Sequence, residues 1–168
     1  ARVDADGKVV AGPLAIDGTT DDWPRLYPLV PSGDRVLVPW GRNLGVKVTL
    51  VGADLKAVGT ADLPPQWSYN LRGVAIPGGY LVAWDQSGES GPTEVWAVRL
   101  DDTGKLAGTA GRISPAGTDL RTYRLGNLVP LGEGLLAALT EQRKVSGSGG
   151  GFGEGSSASV TLLQRLDA

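Results

Sequence analysis

The stretch Gly79–Pro115, GYLVAWDQSGESGPTEVWAVRLDDTGKLAGTAGRISP, decides how the rest of the chain is interpreted. It contains two mostly apolar runs, Tyr80–Trp84 and Val95–Leu100, which a polar segment separates. Asp101–Lys105 has the composition of a tight turn, because Asp bonds its own backbone and Gly accepts a positive φ. The glycine-containing run Leu106–Ile113 comes next. The stretch therefore predicts three strands, joined by a polar loop and by a tight turn.

Parts of this stretch recur along the chain. Each copy begins with an apolar run and a turn, and a second apolar run follows that ends at Trp40, Trp84 or Leu139. The next strand recurs as well, and it ends in Arg-Leu-Asp in two copies. The first recurring segment is Leu29–Trp40, Val74–Trp84 and Leu128–Leu139, and the second is Gly45–Val51, Thr93–Leu100 and Ser159–Leu166.

We interpret the chain as one all-β repeat domain over residues 1–168, built from four-stranded units with strands A to D. The units cover about residues 26–63, 71–113 and 125–166. The third unit lacks a D strand, and the N-terminal residues 7–16 resemble one. This offset predicts a β-propeller type of repeat, in which the N-terminal strand completes the last blade. The predicted strands are Leu26–Pro31, Arg35–Trp40, Gly45–Val51 and Leu55–Leu63 in the first unit, Leu71–Pro77, Gly79–Trp84, Thr93–Leu100 and Lys105–Ile113 in the second, and Leu125–Leu131, Gly134–Thr140 and Ser159–Leu166 in the third.

The second unit, GYLVAW, a polar loop and then EVWAVRLDDTGKL, resembles the blade of exported bacterial β-propeller repeat proteins. The first and third units match this pattern more loosely, and Gly147–Ser157 lies outside it. The resemblance implies a propeller and a secreted or cell-surface protein, with the periplasm as a further location. It implies no particular activity, because propellers carry many unrelated functions.

Three blades are too few for a ring, since propellers use about 4 to 8. Two copies would supply six blades, which predicts a homodimer that hides its open sheet edges. Two other interpretations stay open. The chain is a fragment of a longer propeller, or it is a β-trefoil, which also has three units of four strands.

Composition excludes several classes of protein. The net charge of −2 and the interspersed charges argue against a nucleic-acid partner. No apolar run approaches the roughly 18 residues of a membrane-spanning helix. The chain has no Cys and no His, so it lacks thiolate ligands and the usual general base. It begins with Ala1 rather than Met, which we interpret as processing and as a sign of export.

The candidate ligand-binding residues lie in the connections from strand D to strand A and beside the loops from B to C. In a propeller these segments share one face, where Trp, Tyr and Arg form a recognition rim for a glycan or a protein. The alternative for the tryptophans is packing between blades. The candidate residues are Trp23, Arg25, Trp67, Tyr69, Trp84, Arg121 and Tyr123.

Two acidic segments and one glycine-rich segment have alternative interpretations. Asp4–Gly7 resembles the start of a calcium loop but lacks its later ligands, which favours a hairpin turn. Asp17–Asp22 is a weaker candidate for Ca²⁺, and we predict no metal site and no cofactor. Residues 143–158 form a flexible Gly/Ser-rich insertion, in which Phe152 either anchors a partner or is disordered.

The sequence thus predicts a non-catalytic binding or scaffold module. One alternative is a structural subunit or fragment of a larger bacterial surface assembly. The other is a propeller enzyme of the glycosidase type, which would take paired carboxylates from different blades.

Overall fold

The computed structural model describes residues 2–12, 15, 25–42, 45–64, 70–87, 91–132, 134–144 and 157–166. Regular secondary structure among these residues consists of β-strands alone, which form one two-stranded sheet and three larger sheets. The prediction of an all-β chain is confirmed. None of the described sheets closes on itself. The described residues also include no helix of the length and apolarity needed to cross a membrane.

Sheet 1 corresponds to the first predicted unit. Its predicted A strand is divided in two, because Pro28 has no N–H to donate and the chain is irregular at Tyr27. The Tyr27 N–H still donates to the Pro39 carbonyl at 3.1 Å, so this strand stays attached to the sheet. The strands of sheet 1 are β3 (Arg25–Leu26), β4 (Val30–Ser32), β5 (Arg35–Arg42), β6 (Gly45–Val51) and β7 (Ala57–Asp62). The strands of sheet 2, the second predicted unit, are β8 (Leu71–Ile76), β9 (Gly79–Ser87), β10 (Thr93–Asp101) and β11 (Gly111–Arg112).

Sheet 2, from β8 to β11, is an antiparallel meander in which each strand pairs with the next. The predicted turn after β10 is confirmed: Asp101 N–H donates to the Lys105 carbonyl at 2.9 Å, and Gly104 has a φ of 80°. The D strand is shorter than predicted, with a single bridge at Leu106 and the two residues of β11. Gly108, at a φ of 125°, takes the chain out of the extended conformation between these two points.

Sheet 3 has three strands among the described residues: β12 (Arg121–Leu131), β13 (Gly134–Lys144) and β14 (Ser157–Leu166). The last two extend further than predicted, because Lys144 pairs with Ser157 and Arg143 with Ala158. These four residues, which the sequence assigned to the insertion at 143–158, are therefore strand residues. Residues 145–156, including Phe152, lie outside the described residues.

The N-terminal residues form a separate hairpin of β1 (Arg2–Val3) and β2 (Val9–Ala11). Its turn repeats the one after β10: Asp4 N–H donates to the Lys8 carbonyl at 3.0 Å, and the Asp4 carboxylate accepts from the Lys8 N–H at 2.9 Å. The segment therefore adopts the predicted hairpin turn. The predicted D strand corresponds to β2, which pairs with β1, so in the single chain β2 does not complete the third unit as predicted. Completion of a blade in a second copy stays a prediction.

Sheet 2 lies between the other two sheets and contributes to both hydrophobic clusters. Trp84 belongs to the cluster shared with sheet 1, whereas its neighbour Ala83 belongs to the cluster shared with sheet 3. Because side chains alternate along a strand, a strand buried on both faces is apolar throughout. This packing explains the unbroken apolar run Tyr80–Trp84.

In all three sheets, the side chains at equivalent strand positions face the same way along the stack of sheets. We align them through the pairs that close their A–B hairpins, Ser32–Arg35, Ile76–Gly79 and Leu131–Gly134. Each sheet then has a preceding face, turned toward the sheet before it, and a following face, turned toward the next. On the second strand of the hairpin, the residues of the preceding face are Val36, Val38 and Trp40 in sheet 1, Tyr80, Val82 and Trp84 in sheet 2, and Leu135, Ala137 and Leu139 in sheet 3.

The hydrophobic clusters fit this alignment. In sheets 2 and 3 the preceding-face residues join the cluster shared with the sheet before. The equivalent residues of sheet 1 belong to neither cluster, so none of the larger sheets packs on its preceding face among the described residues. The same holds for the following face of sheet 3, which carries Leu136 and Ala138. On the preceding face of sheet 1, Val38 and Trp40 are nevertheless buried, and Arg2 of β1 lies beside this face, with its guanidinium 3.4 Å from the Ala53 carbonyl.

Sheets 1 and 2 approach each other closely where the turn after β10 crosses β7. A Cβ on Gly59 would overlap the Thr103 carbonyl oxygen, and a Cβ on Gly104 would lie 2.9 Å from the Cβ of Leu50. Glycine at these two positions lets backbone pack directly on backbone and side chain.

Candidate functional site

The predicted rim lies at the edge of the sheets where A strands begin and B strands end. Four of the seven candidate residues are described: Arg25 in β3, Trp84 in β9, and Arg121 and Tyr123 in β12. Trp23, Trp67 and Tyr69 lie outside the described residues. The prediction that all seven form one binding surface therefore stays a prediction.

The two described aromatic candidates are buried in the chain. Trp84 is fully buried between sheets 1 and 2, and its indole N–H donates to the Gln86 side-chain oxygen at 3.3 Å. Tyr123 is buried between sheets 2 and 3. The position of Trp84 fits the packing alternative for the tryptophans, and neither Trp84 nor Tyr123 offers a surface to a ligand in this conformation. The two arginine candidates, Arg25 and Arg121, are exposed.

Arg121 belongs to a charged cluster around the buried carboxylate of Glu141. Arg143 contacts both carboxylate oxygens, at 2.6 and 3.2 Å, and Arg121 lies 3.7 Å from one of them. The hydrogen bond from Arg143, with the charges of both arginines, lowers the pKa of Glu141. Glu141 therefore holds two half-exposed guanidinium groups side by side at the rim, the arrangement that suits an acidic or hydroxyl-rich ligand.

Asp85, directly after Trp84, joins sheet 2 to sheet 3 at this edge. Its carboxylate accepts from the Leu125 N–H at 2.6 Å and from the Asn70 side-chain amide at 3.4 Å. The same amide also donates to the Leu125 carbonyl. Burial raises the pKa of Asp85, although these bonds and the charges of two nearby arginines oppose the shift. Both of its oxygens are engaged by the protein, so Asp85 has a structural role.

A second charged pair lies at the same edge of sheet 2. The Glu94 carboxylate accepts from Arg112 at 3.0 Å and from the Gly117 N–H at 2.9 Å. It thereby ties the connection between sheets 2 and 3 to β10. Asp85, Glu94 and Glu141 were not predicted from the sequence, because an acid whose neighbours are not known looks like an ordinary loop residue. The available signal was the position of Asp85 and Glu141 at the ends of apolar strands.

The sequence predicted no metal site. Among the described residues, no group of three or more acidic side chains is arranged to hold a metal ion. Asp17–Asp22 lies outside the described residues. No protein-family model matches the chain, and no curated protein is significantly similar to it.

Proposed function

We propose that this chain is a non-catalytic, propeller-type repeat module that binds a glycan or a protein through its rim. The observation that carries the proposal is the directional stack of three antiparallel meanders with equivalent faces. Successive blades of a propeller stack in this way, which favours a propeller over a trefoil. Such a stack supplies a rigid edge on which loops and side chains form a recognition surface.

The charged cluster at the rim supports binding. Arg121 and Arg143 are about half exposed and are oriented by a buried acid, so little side-chain entropy is lost when they contact a ligand. The non-catalytic part of the proposal is supported by the absence of His and Cys from the sequence. It is also supported by the two buried carboxylates, Asp85 and Glu141, whose oxygens are bonded to protein donors. The resemblance to exported repeat proteins supports a secreted or cell-surface location.

The test is binding of the purified chain to an array of oligosaccharides. We expect binding that the variants Arg121→Ala and Trp67→Ala weaken at least tenfold. Lys56→Ala is the control, because Lys56 lies in an exposed turn at the opposite edge of sheet 1. A wild-type chain that binds no oligosaccharide would overturn the glycan proposal, as would an equal loss in the control.

A second candidate function is a structural subunit of a larger surface assembly. The specific observation that favours it is the apolar surface that sheets 1 and 3 leave uncovered. In this case the rim variants would leave the role of the protein intact, whereas substitutions on the two uncovered faces would disrupt it.

A further inference from the structure

Five of the eleven exposed large apolar side chains among the described residues lie on two surfaces of the chain. On the preceding face of sheet 1, Leu26 and Leu29 are 66% and 54% exposed. On the following face of sheet 3, Val129, Leu131 and Leu163 are 46%, 54% and 67% exposed. We call these surfaces the open face of sheet 1 and the open face of sheet 3. Apolar patches of this kind mark interaction sites.

The open face of sheet 1 is concave. A groove of about 450 Å³ lies there, with the exposed Leu26 and Leu29 on its wall and the buried Val38 and Val51 among its other lining residues. Arg2 of β1 also lines this groove, so the N-terminal hairpin flanks the face. The open face of sheet 3 instead presents a row of branched apolar side chains. The two surfaces are therefore matched in chemistry and differ in shape.

The contacts within the chain indicate how the two surfaces fit together. Val30, on the following face of sheet 1, packs on Gly73, on the preceding face of sheet 2, with its Cβ 3.7 Å from where a Cβ on Gly73 would lie. In sheets 2 and 3 the equivalent residues are Val74 and Leu128, which belong to the same cluster. The next pair in this series is Val129 of sheet 3 and the residue equivalent to Gly73 in sheet 1, which is Leu29.

We propose that the open face of sheet 3 docks on the open face of sheet 1 of a second copy of this chain, with Val129 against Leu29. The inference rests on the proposed propeller-type stacking and names the partner that this stacking implies. It continues, between copies, the interface that the chain makes twice within itself.

Charged residues at one end of the two open faces support the same alignment of sheet 3 on sheet 1 of the second copy, with Val129 against Leu29. Within the chain, Leu50 packs under the turn that contains Gly104. The equivalent of Leu50 in sheet 3 is Arg165, and the equivalent of Gly104 in sheet 1 is Leu55, which follows the exposed Asp54. Docking therefore brings Arg165 of one copy to the turn of the other copy that carries Asp54. Arg165 would there share Asp54 with Lys56, which lies 3.5 Å from the same carboxylate within the chain. The Arg2 guanidinium, which donates to the Ala53 carbonyl, lies beside this turn.

The size of the interface is adequate for a stable pair. A face of three or four strands, spaced about 4.8 Å apart and roughly 25–30 Å long, presents about 400 Å². A two-fold closed pair uses both open faces of each copy, which gives roughly 800 Å² per partner. This area is that of an ordinary specific protein–protein interface, about 800 Å² per partner. The contact is head-to-tail and closes after two copies if each chain spans half of a ring.

The test is the mass of the full chain by light scattering over a concentration series. We expect twice the chain mass of 17.4 kDa. Val129→Asp and Leu163→Asp should give the monomer, with a retained circular-dichroism spectrum showing that each variant folds. Leu120→Asp is the matched control, because Leu120 is 55% exposed and lies in the connection before β12. It should remain a dimer.

A monomeric wild-type chain would overturn the inference and leave the open faces to another occupant, such as a further blade. An open series of larger species would overturn the closed pair, and dimeric Val129→Asp and Leu163→Asp variants would overturn the assigned face. Charge reversal tests the register: Arg165→Asp and Asp54→Arg should each weaken the dimer, and the double variant should restore it. Because oligosaccharide binding is measured separately, failure of the dimer leaves the proposed function testable, and the reverse also holds.

Discussion

The Asp85 carboxylate accepts a 2.6 Å hydrogen bond from the Leu125 N–H, which joins the end of a strand in sheet 2 to the first strand of sheet 3. We predict that Asp85→Ala destabilises the chain by about 1–3 kcal/mol, because it leaves a buried donor without an acceptor. Asp85→Asn keeps an acceptor oxygen and should retain most of the stability. The measurement is urea unfolding followed by circular dichroism. Equal losses in both variants would contradict this role for Asp85.

The same residue predicts how stability depends on pH. Burial raises the pKa of Asp85 in the folded chain, so the folded state holds this proton more tightly than the unfolded state. The stability that protonated Asp85 contributes is therefore fully present below the ordinary pKa of 3.8 and is lost as the pH rises through the pKa of the folded state. Unfolding free energies measured across this range should show that Asp85→Asn gains stability relative to wild type as the pH rises. A constant difference would contradict the prediction.

The pH dependence of stability that we expect from Glu141 is opposite to that expected from Asp85. The hydrogen bond that Glu141 accepts from Arg143 lowers its pKa below the ordinary value of 4.5, so its contribution is present above that value. The contribution is lost as the pH falls through the folded pKa. We predict that Glu141→Gln is less stable than wild type at neutral pH and that the gap closes in acid. Arg143→Gln should behave in the same way, and a gap that widens in acid would refute the assignment.

Close packing between sheets 1 and 2 predicts a strong effect at Gly59. A Cβ there would overlap the Thr103 carbonyl, so Gly59→Ala should cost about 1–3 kcal/mol of stability through overpacking. Gly111→Ala is the matched control, because a Cβ on Gly111 meets no atom within 4 Å. Thermal unfolding of the two variants separates the effects. Similar melting temperatures would show that the sheets adjust at this point.

The sequence predicted the strands best where turn chemistry bounded them. Asp101 and Gly104 defined the turn after β10, and the apolar run Tyr80–Trp84 identified a strand buried on both faces. The split of the first A strand at Pro28 was missed, because the sequence does not show which N–H groups the sheet requires. The pairing of Val9–Ala11 was also missed, since several strand edges compete for such a segment and the choice depends on distant contacts.

The candidate site was harder to predict than the fold. Trp84 suits either packing or binding by its chemistry, and only its full burial shows that it packs between sheets. Glu141 was missed although it directly follows an apolar run, because its role depends on Arg121 and Arg143 being brought beside it by the pairing of β12 with β13. In both cases the deciding information is a neighbour in space.

The most direct test of the central claim, that one repeated interface continues between copies, is disulfide trapping in this cysteine-free chain. The pair Val30→Cys with Gly73→Cys calibrates the method, because their Cβ atoms would lie within disulfide range, about 3.5–4.5 Å. We predict that this pair oxidises within one chain. The equivalent pair, Val129→Cys with Leu29→Cys, should instead give a covalent dimer on a non-reducing gel, and the mismatched pair of Leu120→Cys with Leu29→Cys should not. A chain that closes the first disulfide but leaves the second pair as monomer would contradict the account.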